Sequence, residues 1–176
     1  TTGVANTIIG CLAGDALTTG NYNVAIGYEA LTSEDGDGKN IAIGAQTLSV
    51  QNAGVDAYNV AIGHQAGTAI STGVENVLIG GKTGDALTTG IDNVAIGHLA
   101  LSTEDTGNKS IAIGYYALYN QNNAGDNYNV AIGHSAGAAV TTGIYNVLIG
   151  GLAGDAVNTG NYNVAMGKGA MGSTTT

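Results

Sequence analysis

Short apolar triplets recur along this chain at a nearly constant interval, each opened by a small polar residue and closed by glycine. The pattern N-[VI]-[AL]-[IM]-G begins at Asn23, Asn40, Asn59, Asn76, Asn93, Asn129, Asn146 and Asn163, and the variants NTIIG from Asn6 and SIAIG from Ser110 complete the series. The closing glycines, Gly10 to Gly167, lie 17, 17, 19, 17, 17, 17, 19, 17 and 17 residues apart. Residues 10–80 therefore align with 80–150 without a gap, as a 70-residue super-repeat.

Side chains alternate within each triplet, so Val24 and Ile26 share one face and Ala25 takes the other. The larger aliphatics (Val24, Ile26, Val60, Ile62, Val94, Ile96, Val130 and Ile132) are the expected structural core. The alanine column leaves a flat face suited to close approach by another chain. Thr-Gly pairs such as Thr19-Gly20 and Thr89-Gly90 mark a second bend in each unit. A strand of about five residues, a turn, a shorter strand and another turn would fill one unit. The pattern predicts an all-β parallel β-solenoid, or β-roll, of about ten coils of 17–19 residues each, running through residues 1–176 as one array with no linker. Coils stacked at roughly 4.8 Å would make a rod of about 45 Å. The motif asparagines Asn23, Asn40, Asn59, Asn76, Asn93, Asn129, Asn146 and Asn163 would form a ladder at one corner, satisfying turn backbone groups and each other.

Two columns compensate one another. Four residues after the repeat glycine the chain has Gly14, Leu31, Leu48, Gly67, Gly84, Leu101, Leu118, Gly137 and Gly154. Seven residues after it stand Leu17, Glu34, Gln51, Ile70, Leu87, Glu104, Gln121, Val140 and Val157. Each coil thus supplies one aliphatic plug from one of two positions, as an interior of fixed cross-section requires. A second exchange occurs at Leu78 and Leu148, which replace the usual alanine.

Composition narrows the function. The 176 residues include 30 glycines and no Pro, Phe or Trp, with a hydrophobic fraction of 44% and a net charge of −9. Such a chain is too apolar for a disordered acidic tail, and its core must be thin and regular. Four cations against 13 carboxylates argue against nucleic acid and anionic lipid. No apolar run approaches the ~18 residues of a membrane span. One cysteine, Cys11, excludes an intrachain disulfide framework. A chain opening Thr-Thr-Gly without an initiator Met is expected to be a processed protein or a segment of something longer.

The phrase N-x-A-I-G-x-x-A-L, seen at 23–31, 93–101 and 110–118, resembles bacteriophage tail-fibre repeats. More distantly it is similar to the N-S-V-A-I-G head repeats of trimeric autotransporter adhesins of the YadA kind. That resemblance implies a left-handed roll, three chains around one axis, and a place outside the cell or on a virion. Here the usual Ser or Thr of the motif is Val or Ile, and the coil is longer than in adhesin heads.

Candidate chemistry is sparse. Tyr22, Tyr58, Tyr128, Tyr145 and Tyr162 precede the motif Asn in a column that also holds Lys39, Glu75, Asp92 and Lys109. Charged members place the column in solvent, where exposed Tyr beside Asn can stack on sugars, although cross-coil rungs packing on each other explain the same pattern. His64, His98 and His134 share another column but lie two coils apart, too far for one metal ion. The loop 33–40, SEDGDGKN, has the carboxylate density of a calcium loop without its distant Glu ligand, so Asp37 and its neighbours read as a solvated turn. Asp15, Asp85 and Asp155 are expected to bond turn backbone. No nucleophile–base pair, phosphate loop or paired-carboxylate cleft is apparent, and neither a catalytic activity nor a cofactor or metal is expected. The expectation is a structural, homo-oligomeric fibre segment that presents or contributes to receptor binding. A bacterial adhesin head binding matrix or glycans is the alternative, and an ice-binding solenoid a minor one, since no T-x-T array is present.

Overall fold

The structure, a computed structural model, describes residues 2–36 and 38–172. Among these there is no helix. One three-residue strand forms at each repeat: β1 (Thr7–Ile9), β2 (Val24–Ile26), β3 (Ile41–Ile43), β4 (Val60–Ile62), β5 (Val77–Ile79), β6 (Val94–Ile96), β8 (Ile111–Ile113), β10 (Val130–Ile132), β11 (Val147–Ile149) and β12 (Val164–Met166). They stack in chain order as one ten-stranded parallel sheet. Register is strict, with Val24 opposite Ile41, Ala25 opposite Ala42 and Ile26 opposite Ile43. Two further short strands, β7 (Gly107–Asn108) and β9 (Gly125–Asp126), pair beside the second 19-residue coil. The chain is a parallel β-solenoid, as its period predicts.

The faces of the strand are the reverse of the expectation. Ala25, Ala61, Ala95 and Ala131 point into the coil and are fully buried. Val24, Ile26, Val60, Ile62, Val94, Ile96 and Val130 stand half-exposed on the outer face, and Ile132 is exposed. The reason is space. Where the strand centre is alanine, the coil already encloses a ladder side chain and other buried side chains, leaving room for one methyl there; Leu78 and Leu148 fill that place only where Gly84 and Gly154 follow.

Among the described residues no second long strand closes the coil. After Gly27 (φ 135) the backbone alternates in handedness, with Glu29 and Leu31 both at φ 53. That alternation curls the segment into successive turns and prevents an extended run. Its amides still reach adjacent coils: Gln46 N donates to Tyr28 O at 2.8 Å and Leu31 N to Thr47 O at 3.0 Å. Twenty-four described non-glycine residues have positive φ, which makes the left-handed conformation part of the repeat itself.

The plugs lie where the compensation places them. Leu31, Leu48, Leu101 and Leu118 fill the interior from one column, and Ile70, Leu87, Val140 and Val157 from the other. Their polar counterparts are inside as well, because Glu34, Gln51, Glu104 and Gln121 are fully buried.

The asparagine ladder runs along the inner corner. The Oδ1 of Asn59 accepts the Asn76 backbone N–H at 2.9 Å, and that of Asn76 accepts the Asn93 N–H at 3.0 Å. The amide nitrogens donate onward, Asn76 to Gly90 O at 2.9 Å and Asn129 to Gly143 O at 2.7 Å. At Ser110 the ladder changes partner, and the hydroxyl oxygen accepts from Gln121 Nε2 at 2.8 Å.

Candidate contact surfaces of the solenoid

Three outward columns adjoin one another because they follow one another along each coil. The residue before the motif Asn carries the tyrosines, the strand carries Val and Ile, and the residue after the repeat glycine carries the histidines. All five ridge tyrosines are exposed, from 40% at Tyr145 to 74% at Tyr162. Each sits in the left-handed region, for example Tyr22 at φ 59, so the column projects from a bend rather than from the sheet.

The rings are not equivalent. Tyr128, Tyr145 and Tyr162 stack in series, at 5.2 Å and 11° and then at 5.0 Å and 3°. The Lys109 ammonium lies 5.3 Å from the Tyr128 ring centre, and Lys39 lies 4.9 Å from that of Tyr58. Both faces of Tyr128 and of Tyr145 are therefore occupied, leaving ring edges and hydroxyls outward. The cross-coil rungs thus account for Tyr128, Tyr145 and Tyr162, and the most exposed of the five are Tyr22 and Tyr162.

The lysines are held in repeated clusters. Lys39 Nζ donates to Asp56 at 2.5 Å and to Tyr58 Oη at 2.9 Å. Seventy residues on, Lys109 Nζ donates to Asp126 at 2.7 Å and to Tyr128 Oη at 3.3 Å. The bond to Asp126 holds the Lys109 ammonium up at about 12, with Tyr128 adding to it. The same ion pair pulls the Asp126 carboxyl below its ordinary value. These pairs are exposed and contribute little to stability.

The outer strand face forms an apolar stripe. Twenty outward side chains run in two columns from Thr7 to Met166, and Thr7 alone is polar. Polar and aromatic residues border the stripe on one side. Along its other side, His98 and His134 flank Tyr115 at 5.8 and 5.2 Å between ring centres. Tyr116 packs on Tyr115 at 4.3 Å and Tyr119 on Tyr116 at 4.5 Å. His64, His98 and His134 are all exposed. No group of three His, Cys, Asp or Glu side chains among the described residues could hold a metal ion.

The acidic turns divide. Glu34 and Glu104 turn inward, and Asp37 lies outside the described residues. Glu104 accepts the Gly107 N–H at 2.9 Å, Gln121 Nε2 at 2.8 Å and Asn127 Nδ2 at 3.1 Å. Burial pushes its carboxyl above the ordinary range, while the hydrogen bonds from Gln121 and Gly107 oppose the shift. Asp85 takes the hydroxyl of Ser102, in the next coil, at 2.5 Å instead of local turn backbone. The inward Glu/Gln set escaped the sequence reading. Its signal was that these residues share a column with Leu17 and Ile70.

Compared with known protein families, with curated proteins and with solved structures, the chain matches none.

Proposed function

We propose that the protein is a structural segment of an extracellular or virion-borne fibre, built from laterally associated copies of the chain and serving to hold and present a receptor-binding part. The observation that carries this reading is the Val/Ile stripe, apolar at nineteen of twenty positions. A contiguous apolar face of that extent is what monomers avoid and interfaces use. It has the anatomy of an interface, an aliphatic centre with a polar and aromatic rim. The resemblance of the N-x-A-I-G repeat to phage tail fibres, and more distantly to adhesin heads, favours three copies around one axis with the stripes turned inward. The mechanism is mechanical. Inter-coil hydrogen bonding gives stiffness along the rod, lateral burial of the stripe joins the copies, and the net charge of −9 limits wider aggregation.

We place a contribution to receptor contact on the tyrosine column, where the Lys–Asp–Tyr clusters lie exposed and Tyr22 and Tyr162 are the most exposed rings. Sugars are the ligand class suited to such edges and hydroxyls.

Solution mass by light scattering tests the reading. One chain is 17.3 kDa, and a concentration-independent species of three times that mass is the expected result. A folded monomer at all concentrations would overturn it.

A further inference from the structure

Tyr145 and Tyr162 lie 5.0 Å apart between ring centres and 3° apart in plane, and among the described residues no other ring pair is as parallel. The backbone builds this match. Tyr145 sits at φ 59 and Tyr162 at φ 60, so the two side chains leave successive coils in the same direction. Each residue is tied to the coil before it, with Tyr145 N donating to Asn127 O at 2.8 Å and Tyr162 N to Ile144 O at 3.1 Å. The rings are thereby held at about the spacing of paired strands, roughly 4.8 Å. Tyr145 has a ring on each side along the rod and is still 40% exposed, so it is reached from the side of the rod.

The other tyrosines differ in what surrounds them. Lysines lie over the rings of Tyr58 and Tyr128, at 4.9 and 5.3 Å, and a cation there raises the cost of removing an electron from the ring. The Tyr128 hydroxyl also donates to Asp126 at 3.2 Å within that ion cluster. Tyr22 is followed in its column by Lys39 rather than by a second tyrosine. Tyr115 is flanked by His98 and His134. Tyr116 and Tyr119, tilted by 48° and 37° from the rings they pack on, are half-buried.

Phenols oxidised by one electron each couple through the ring carbons beside the one that bears oxygen. We propose that Tyr145 and Tyr162 form an oxidative modification site, joined by a haem peroxidase and hydrogen peroxide into an intrachain dityrosine that staples one coil to the next. Each phenol gives up one electron and its hydroxyl proton, and a Cε–Cε bond forms between the two rings. The hydrogen on each coupled carbon then leaves as a proton, and each phenol oxygen takes one up again. The two electrons and two protons released in all reduce the peroxide to two waters. Rotation about the side-chain torsions of these exposed residues closes the stacking distance while their backbones stay paired. Each radical meets its neighbour at high effective concentration, so coupling within the pair outruns coupling between chains. The site lies within one chain and depends on neither lateral association nor receptor binding.

The test treats the full chain with a haem peroxidase and hydrogen peroxide, then reads intact mass under denaturing conditions and maps cross-linked peptides by mass spectrometry. The expected product keeps the 17.3 kDa mass of one chain less two hydrogen atoms. Its cross-link maps to Tyr145 and Tyr162, in at least about tenfold excess over every other tyrosine pair. Tyr145→Phe should abolish this product with the circular dichroism unchanged, whereas Tyr22→Phe should leave its yield intact. Cross-links mainly between chains, an equal intrachain yield at another pair, or no coupling at all would overturn the proposal.

Discussion

The side chain of Leu78 occupies the space that a β-carbon on Gly84 would take, since one built there would lie 3.0 Å from Leu78 Cδ2. Elsewhere the pair is exchanged: the central strand residue is Ala and the later position is Leu, as at Ala95 and Leu101. Between these coils the strand centre and the position six residues on therefore exchange volume.

Leu78→Ala is expected to destabilise by about 2–4 kcal/mol, because the glycines on either side cannot fill the cavity. Gly84→Ala, at φ 55, should be costly alone and less so in the Leu78→Ala background. Urea denaturation of the two single variants and the double variant measures this coupling. Strict additivity would refute it.

Asn76→Ala leaves the Asn93 N–H and the Gly90 carbonyl without the partners they have at 3.0 and 2.9 Å. Each buried orphan costs about 1–3 kcal/mol, so a loss of roughly 2–5 kcal/mol is expected, far above that of a surface Asn. Thermal melting with circular dichroism would show it.

Backbone conformation gives two opposite expectations for glycine. Lys82 is exposed at φ 52, so Lys82→Gly should be neutral or stabilising by up to about 1 kcal/mol. Gly80 sits at φ 138 with the Gly97 carbonyl 2.7 Å from where its β-carbon would be. Gly80→Ala should cost more than about 3 kcal/mol or prevent folding. Chemical denaturation compares the two.

Glu104 makes stability depend on pH. Its folded value is raised above the ordinary 4.5, so the unfolded chain loses its proton first as pH rises. Stability from this group is therefore full below the ordinary value and falls as pH rises toward the folded value, then levels. Denaturation at pH 4, 5, 6 and 7 should show that decline in the native chain and its absence in Glu104→Gln. A parallel pH profile in the variant would contradict it.

Introducing charge into the stripe separates folding from association. Ile62→Lys with Ile96→Lys places two ammonium groups on a face that is half-exposed in the single chain. The doubly substituted chain should keep its circular dichroism and scatter as a 17.3 kDa species. Retained oligomers would show that the stripe is not the interface.

Period, register and the solenoid itself are legible in the sequence, because one coil's length and its glycine positions are written ten times. Which face of the strand is inside is less so. Alternation shows that Val24 and Ile26 oppose Ala25 without saying which side holds the smaller volume, and size favours the wrong answer. The decisive sign was Leu78: where the strand centre grows to Leu, Gly67 and Gly84 shrink, which only an interior residue would require. Glu104 was hidden for a different reason. A carboxylate beside Asp105 looks solvated until the donors of Gly107, Gln121 and Asn127, which lie 3, 17 and 23 residues away, are brought together.

The asparagine ladder also gives the rod a direction. From Asn23 to Ser110 each backbone N–H in the ladder is received by the side chain of the coil before it, and all ten main strands run parallel. No rotation that exchanges the two ends restores this arrangement. The molecule is an arrow, and copies lying side by side with their strands in common register must all point the same way. A bundle of such arrows has a head and a tail that differ chemically, so growth or attachment at one end need not resemble that at the other.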